Sequence, residues 1–397
     1  MTSAEDARSI ILKNVSPLET ITLSLEKARG FVLAEDIIAG ENIPPFDNAG
    51  MDGYAVIAQD TVTTPVQLRV INEIPAGSVS NQRLQRGEAM AIMTGAKIPE
   101  GCDAVVQIEW TGKRDDRSVT VMQPVVTGHN IRRAGNDIKV NSKVLQAGDL
   151  IRPQEIGVLA SLGKRFVKIY RPPTVAILVT GNEIVEINKP VPDGKIRNSN
   201  MHMLNALVAE LGCETVDLGI ARDDEADLVK KITEGLRADV LITSGGVSVG
   251  KYDLVIQTMI KLGVEQKFWK VNIKPGMPFM FGMYGKVPVF GLPGNPVSTF
   301  VTFVQFVQPA LLRMMGRNKI NRFTVQARLM EQIRKEDGKR HFVRGVLREE
   351  KDEFIVQTTG VQPSNVLTSI SKANCLIIIP EEQSTVNPGD IVQVELL

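Results

Sequence analysis

Residues 238–262 confine the middle of this chain to a strand, a tight glycine loop and a helix, in that order. Ala238-Asp239-Val240-Leu241-Ile242-Thr243 is an apolar, β-branched run, and Leu254, Val255, Thr258, Met259 and Leu262 recur on one helical face. Between them lies Ser244-Gly245-Gly246-Val247-Ser248-Val249-Gly250-Lys251-Tyr252-Asp253. Glycines let the backbone approach an oxyanion, and a helix N-terminus aims unpaired N–H groups at it, so this order of elements makes a phosphate cradle. Asp253 reads equally as a helix cap and as a ligand for a divalent cation bridging the phosphate.

The same alternation extends from about 174 to 315. Val175-Ala176-Ile177-Leu178-Val179 is a buried-strand run closed by Thr180-Gly181. Leu204, Leu207, Val208 and Leu211 mark a helix ending at Gly212, Thr215 to Ile220 a second strand, and Leu228, Val229, Ile232 and Leu236 a second helix. Strand and helix in alternation imply a parallel, doubly wound sheet, whose ligands bind beyond the carboxyl ends of the strands. Glu183, Asp223 and Asp253 each follow a strand end and converge there.

Two further stretches adjoin this unit. Lys270-Val271-Asn272-Ile273-Lys274-Pro275-Gly276-Met277-Pro278 is basic and turn-rich. From Val287 to Leu312 no residue is charged, which is long enough to span a bilayer. Pro288, Gly291, Pro293, Gly294, Pro296 and Pro309 break that run, so a strand, a turn and a buried helix from Pro296 are expected, capped by Asn295. A helix apolar on nearly every face belongs in a core or at a subunit contact.

Composition narrows the classes. The 397 residues carry 46 Lys+Arg against 45 Asp+Glu, so no global field selects nucleic acid or an anionic membrane, and any anion site is local. Cys102, Cys213 and Cys375 are dispersed and odd in number, which suits a reducing compartment rather than a disulfide framework or a zinc site. The first residues include Glu5 and Asp6 and lack a basic-then-apolar leader, so a cytoplasmic protein is expected. After about 320, short β-rich runs (323–329, 341–347, 354–358, 375–379 and 391–396) predict a small antiparallel barrel or sandwich. One helix is expected near the start, and residues 42–137 hold short β-like runs between Pro and Gly turns.

Phe46 to Val56 holds two aspartates in a small-residue turn, Met93 to Ala96 another turn, and Asn130 to Ile138 a mixed-charge loop. Each alone reads as a turn or solvated loop. In order with Thr180-Gly181-Asn182-Glu183, Ser244 to Asp253, Lys274 to Pro278, Gly291 to Ser298 and Phe342-Val343-Arg344-Gly345, they resemble the molybdopterin molybdenumtransferases, the MoeA family, which includes the gephyrin E domain. The resemblance covers nearly the whole chain. It implies a multidomain α/β plus β protein. The domains would be a discontinuous N-terminal linker domain (1–42 and 138–173), a β-rich insertion (43–137), a doubly wound molybdopterin-binding domain (174–316) and a C-terminal β-barrel (317–397).

The resemblance also implies insertion of molybdate into adenylylated molybdopterin, with Mg²⁺-dependent release of AMP. It marks Asp52, Asp137, Glu183, Asp223 and Asp253 as catalytic, with Glu183 and Asp253 on the metal. The pterin nucleotide would meet Thr94, Ser244, Gly245, Gly246, Ser248, Gly250, Lys270, Pro293 and Pro296. Molybdate would meet Lys274, Arg344 and Ser364, since a tetrahedral oxyanion needs cations and hydroxyls. The implied assembly is a homodimer whose cleft combines both subunits, with Asp253 and Arg344 on different chains. A molybdopterin adenylyltransferase and molybdoenzyme chaperones are further implied partners; nucleic acid and membrane are not.

Asn182, Asn136 and Ala49 stand where the family pattern has Asp, Glu and Ser, which leaves tungstate against molybdate open. Two other functions compete. A molybdopterin adenylyltransferase would need only residues 174–315, and a non-catalytic pterin-binding scaffold need not release AMP.

Overall fold

The computed structural model describes residues 1–115, 117–247 and 254–397. Two compact units emerge, one of residues 1–34, 148–152 and 167–397, the other of residues 35–147 and 153–166. The smaller unit is built on a six-stranded sheet of β1 Gly53–Val56, β2 Val66–Ile74, β3 Glu88–Ile92, β4 Ala104–Gln107, β5 Thr111–Asp115 and β6 Ser118–Val121, in the order β4-β1-β3-β2-β6-β5. Its two cores, one around Val56, Leu68, Ala89 and Val106 and the other around Ile74, Met90, Ile92 and Val105, lie against opposite faces of the strands.

The larger unit begins with helix α1 Ala4–Asn14, capped by Ser3, whose hydroxyl accepts the Asp6 N–H at 3.0 Å. Its central sheet contains β7 Thr174–Thr180, β8 Glu214–Ala221, β9 Val240–Ser244, β10 Glu265–Trp269, β11 Met280–Tyr284 and β12 Val287–Leu292, in the order β8-β7-β9-β12-β11-β10. Helices α2 Ser199–Glu210, α3 Glu225–Gly235 and α4 Leu254–Lys261 connect its parts. Side chains alternate between two cores, as a strand buried on both faces requires. Val175, Ile177 and Val179 join the core of α1 and α2, whereas Ala176 and Leu178 join that of α3 and α4. Burying each such aliphatic side chain contributes roughly 1.5–3 kcal/mol.

The sheet is parallel through β8, β7, β9 and β12, as the sequence implies, and then turns antiparallel through β11 and β10. Only Gly285 and Lys286 separate β11 from β12, far too few residues for a parallel crossover.

After β12 the uncharged run forms α5 Pro296–Thr302, a π-helical segment Phe303–Val307 and α6 Gln308–Met314. The widening has a local cause: Pro309 has no N–H for the Gln305 carbonyl, and its ring would crowd that carbonyl in a regular helix. This run is a buried strand, a turn and a buried helix, and no helix among the described residues is long and apolar enough to cross a membrane. The chain itself covers the helix: Val301, Phe303, Phe306, Val307 and Leu311 pack with Ala7 and Ile11 of α1 and with strand residues of the sheet. Of the two places expected for it, core or subunit contact, these contacts put the helix in the core.

The C-terminal strands are β13 Thr324–Leu329, β14 Arg340–Glu350, β15 Glu353–Thr358, β16 Cys375–Ile379 and β17 Ile391–Leu396. They close in the ring β14-β15-β13-β17-β16-β14, a barrel with one parallel seam between β13 and β15. Its interior holds Leu329, Val343, Val356, Ile377 and Val394. Phe342 and Leu376 point the other way and join the core of the α/β sheet, so the barrel wall and the sheet share packing. The two-residue strand Ile273–Lys274 leaves the α/β domain and pairs in parallel with β14, setting Lys274 opposite His341.

Candidate active site

A cavity of about 1420 Å³ lies between the carboxyl ends of β7 and β9 and the barrel wall. The glycine turn forms one side. Ser244 ends β9 and is buried, and Gly245 and Gly246 follow with φ of +99° and +63°. A Cβ on Gly245 would sit 2.5 Å from the Thr180 carbonyl oxygen, and one on Gly246 would sit 2.3 Å from Val255 Cγ2. Only glycine combines these dihedrals with this closeness. Ser248, Gly250 and Asp253 lie outside the described residues.

Glu183 and Asp223, each just past a strand end, line the same cavity. Asn182 and Asp223 hold one another: the Asn182 N–H donates to Asp223 Oδ2 and the Asp223 N–H donates to Asn182 Oδ1, each at 3.3 Å. The amide at position 182 thus accepts a hydrogen bond without placing a second anion beside Asp223. Pro293 and Pro296 line the cavity from the turn after β12.

The opposite wall is cationic. Arg344 is two residues beyond Phe342, so strand periodicity turns it to the same outer face of the barrel. It is 2% exposed. Its guanidinium donates to the Gln362 carbonyl and to Ser369 Oγ at 3.3 Å, and among the described residues no carboxylate faces it. Burial lowers its pKa to about 10, which leaves it charged at neutral pH. Lys274 reaches Asp337 Oδ2 at 3.2 Å, and the same carboxylate lies 2.8 Å from His341 Nε2. Burial pushes the Asp337 pKa up, but His341 and Lys274 more than reverse this and bring it to about 2. Ser364 also lines the cavity, its hydroxyl accepting from Asn295 Nδ2 at 3.0 Å.

Lys270 is not among the lining residues. Its ammonium sits 4.2 Å from the Trp269 ring centroid, a cation–π contact. Nor does the sequence separation of Arg344 and the glycine loop require two subunits: Ser244–Val247 and Arg344 line one cavity of one chain. Asp52, Thr94 and Asp137 belong to the smaller unit. There Asp52 Oδ1 accepts from the Thr94 N–H at 2.7 Å and from its hydroxyl at 2.8 Å, and these bonds hold its carboxyl below the usual range. The Asp137 N–H donates to the Ile43 carbonyl at 3.0 Å.

Several lining residues escaped sequence reasoning: Thr180, Asn198, Asn200, Arg334, Lys339 and His341. Thr180 Oγ1, Asn198 Nδ2 and Asn200 Oδ1 are buried without hydrogen-bond partners among the described residues. The run Asn198-Ser199-Asn200 at the start of α2 was the available signal, with Asn198 capping the helix by accepting the Met201 N–H at 3.1 Å.

For a hard cation the described residues supply Glu183 and Asp223 in one cavity, and no cluster of three or more metal-ligating side chains. That fits Mg²⁺, which takes one or two carboxylates and completes its shell with water and substrate phosphates.

Comparison with known proteins agrees along the length of the chain. Residues 2–163 match the MoeA N-terminal region (domain I and II), 176–313 a probable molybdopterin binding domain, and 326–397 the MoeA C-terminal region (domain IV). A molybdopterin molybdenumtransferase of Haemophilus influenzae is 38% identical over 401 residues, covering 100% of this chain and 98% of that protein. One from Staphylococcus aureus (strain COL) is 35% identical, covering 99% and 94%. The crystal structure of a molybdopterin biosynthesis MoeA protein from Pyrococcus horikoshii OT3 superposes with a TM-score of 0.87 at 32% identity, covering 100% of both chains. With the glycine turn, the buried arginine and the barrel now all in place, the chain belongs to the MoeA family of molybdopterin molybdenumtransferases.

Proposed function

We propose that the protein inserts molybdate into adenylylated molybdopterin and releases AMP, as a transferase of molybdenum cofactor biosynthesis. One observation carries the reading: Arg344 is a buried cation, without a carboxylate partner among the described residues, facing the same cavity as a glycine turn. Such a group is costly to bury unless an anion completes it, and a planar guanidinium suits a tetrahedral oxyanion. Arg344, Lys274 and Ser364 hold molybdate, while the glycine turn and the Pro293–Pro296 turn receive the nucleotide phosphates. Glu183, with Asp253, would hold Mg²⁺, whose charge would offset that of the phosphate oxygens. The barrel's contribution of Arg344 disfavours a molybdopterin adenylyltransferase, which needs no barrel.

The same proposal takes the protein as a cytoplasmic homodimer with Asp52, Thr94 and Asp137 facing substrate. Three unpaired cysteines support the location, and family resemblance supports the assembly. Sedimentation velocity at assay concentration tests the dimer; an active monomer refutes it. For the activity, purified protein is incubated with adenylylated molybdopterin, Mg²⁺ and molybdate, and AMP is measured. AMP release that requires both ions is expected, and pterin binding without AMP release overturns the reading.

A further inference from the structure

Asn200 stands where four elements meet. It is the second residue of α2 and is 8% exposed. Its Nδ2 lies 2.7 Å from the Gly294 carbonyl oxygen, 2.9 Å from Ser244 Oγ and 3.2 Å from Thr299 Oγ1. A carbonyl oxygen only accepts, so the contact with Gly294 fixes which end of the amide is nitrogen. Ser244 then accepts from Asn200 and passes its own proton to the Pro293 carbonyl at 3.2 Å. Thr299 donates to the same carbonyl at 2.7 Å. Three side chains from α2, β9 and α5 therefore converge on the carbonyls of one turn.

That turn touches the glycine turn backbone to backbone: a Cβ built on Gly294 would stand 3.7 Å from Gly245 Cα. Gly246 and Gly294 both line the cavity, and neither N–H has an acceptor among the described residues. Asn200 Oδ1 is buried with no partner among the described residues. A buried acceptor so placed calls for an explanation beyond packing.

We propose that Asn200 is a positioning residue that clamps the Pro293–Pro296 turn against the Ser244–Gly246 turn, setting the spacing of the backbone N–H groups that receive the substrate's phosphates. The inference rests on the proposed function for the identity of the substrate. Adenylylated molybdopterin is titrated into wild type and Asn200→Ala without molybdate, so that the dissociation constant is read without turnover. The variant is expected to bind on the order of tenfold more weakly, the loss of roughly one buried hydrogen-bond hub. At saturating pterin its half-saturating molybdate concentration stays within about twofold of wild type, because the oxyanion cations sit on the other wall. Should Asn200→Ala not fold, Thr299→Val removes one support of the same turn, with an expected weakening of about threefold. Unchanged pterin affinity in the folded variant, or an equal rise in pterin and molybdate requirements, overturns the proposal. A wild type that binds adenylylated molybdopterin yet releases no AMP overturns the proposed function instead, and leaves the binding comparison intact.

Discussion

Replacing Arg344 by lysine keeps the charge and changes its acid–base chemistry, which makes the site's electrostatics measurable. Burial lowers the arginine from 12.5 to about 10, which disfavours the charged form. An ordinary lysine starts lower, at 10.5, and the same desolvation at a site 2% exposed lowers it further. The lysine also loses the planar fork that serves Ser369 and Gln362. At pH 7 the half-saturating molybdate concentration of Arg344→Lys is therefore expected to rise about tenfold. As pH rises it is expected to rise further and earlier than in wild type, because the lysine loses its proton before the arginine does. The assay is AMP release against molybdate at saturating pterin, across pH 6.5–9.5. Parallel wild-type and variant profiles over that range would refute the reasoning, because the cation would then be solvated rather than desolvated. Arg344→Ala is a poorer probe, since it leaves the Gln362 carbonyl without its donor in a buried space, at a cost of about 1–3 kcal/mol of stability.

Three further outcomes follow from the geometry. Asp239, just before β9, takes Arg171 through two bonds of 2.7 and 2.8 Å and the Thr174 N–H at 2.8 Å. Asp239→Asn is expected to cost about 2 kcal/mol in urea unfolding, and a loss below 0.5 kcal/mol would deny that this pair pins β7 to β9. Burial lowers the His341 pKa below its ordinary 6.5 despite Asp337, so the unfolded chain takes up that proton first and stability declines as pH falls below 6.5. Asp337, held at about 2, adds a second decline as pH drops below about 4; His341→Gln should remove the upper one and shrink the lower, because the imidazole is one of the groups that hold Asp337 down, in a pH series of unfolding free energies. Gly246→Ala should destabilise the protein by about 2 kcal/mol and weaken pterin binding, because its φ is +63° and its Cβ meets Val255; a stability equal to wild type would show that the turn relaxes freely.

Much of the fold could be read from periodicity. Unbroken apolar runs at 175–179 and 240–242 mark strands buried on both faces, and the barrel strands fall where short β-rich runs stand between turns. Glu183 and Asp223 were legible because topology alone sends groups after parallel strand ends to one rim. Asn200 and Asp337 were not. Their partners lie 44 to 99 residues away for the asparagine, and a polar residue in sequence shows neither its depth nor its acceptors. Lys270 lies outside the cavity lining, beside a backbone that is extended or turned, with φ +71°. The π-helical segment was foreshadowed by Pro309, but a proline in an apolar run announces a break without saying how the carbonyl it orphans is accommodated.

The strand Ile273–Lys274 lends the α/β domain two rungs of the barrel's own ladder, reinforced by the Arg340 N–H donating to the Asn272 carbonyl at 3.1 Å. The wall that carries Arg344 is thereby sewn to the segment that carries Lys274. Moving the two cations apart would break main-chain bonds, so the barrel wall and the segment of Lys274 are expected to shift together.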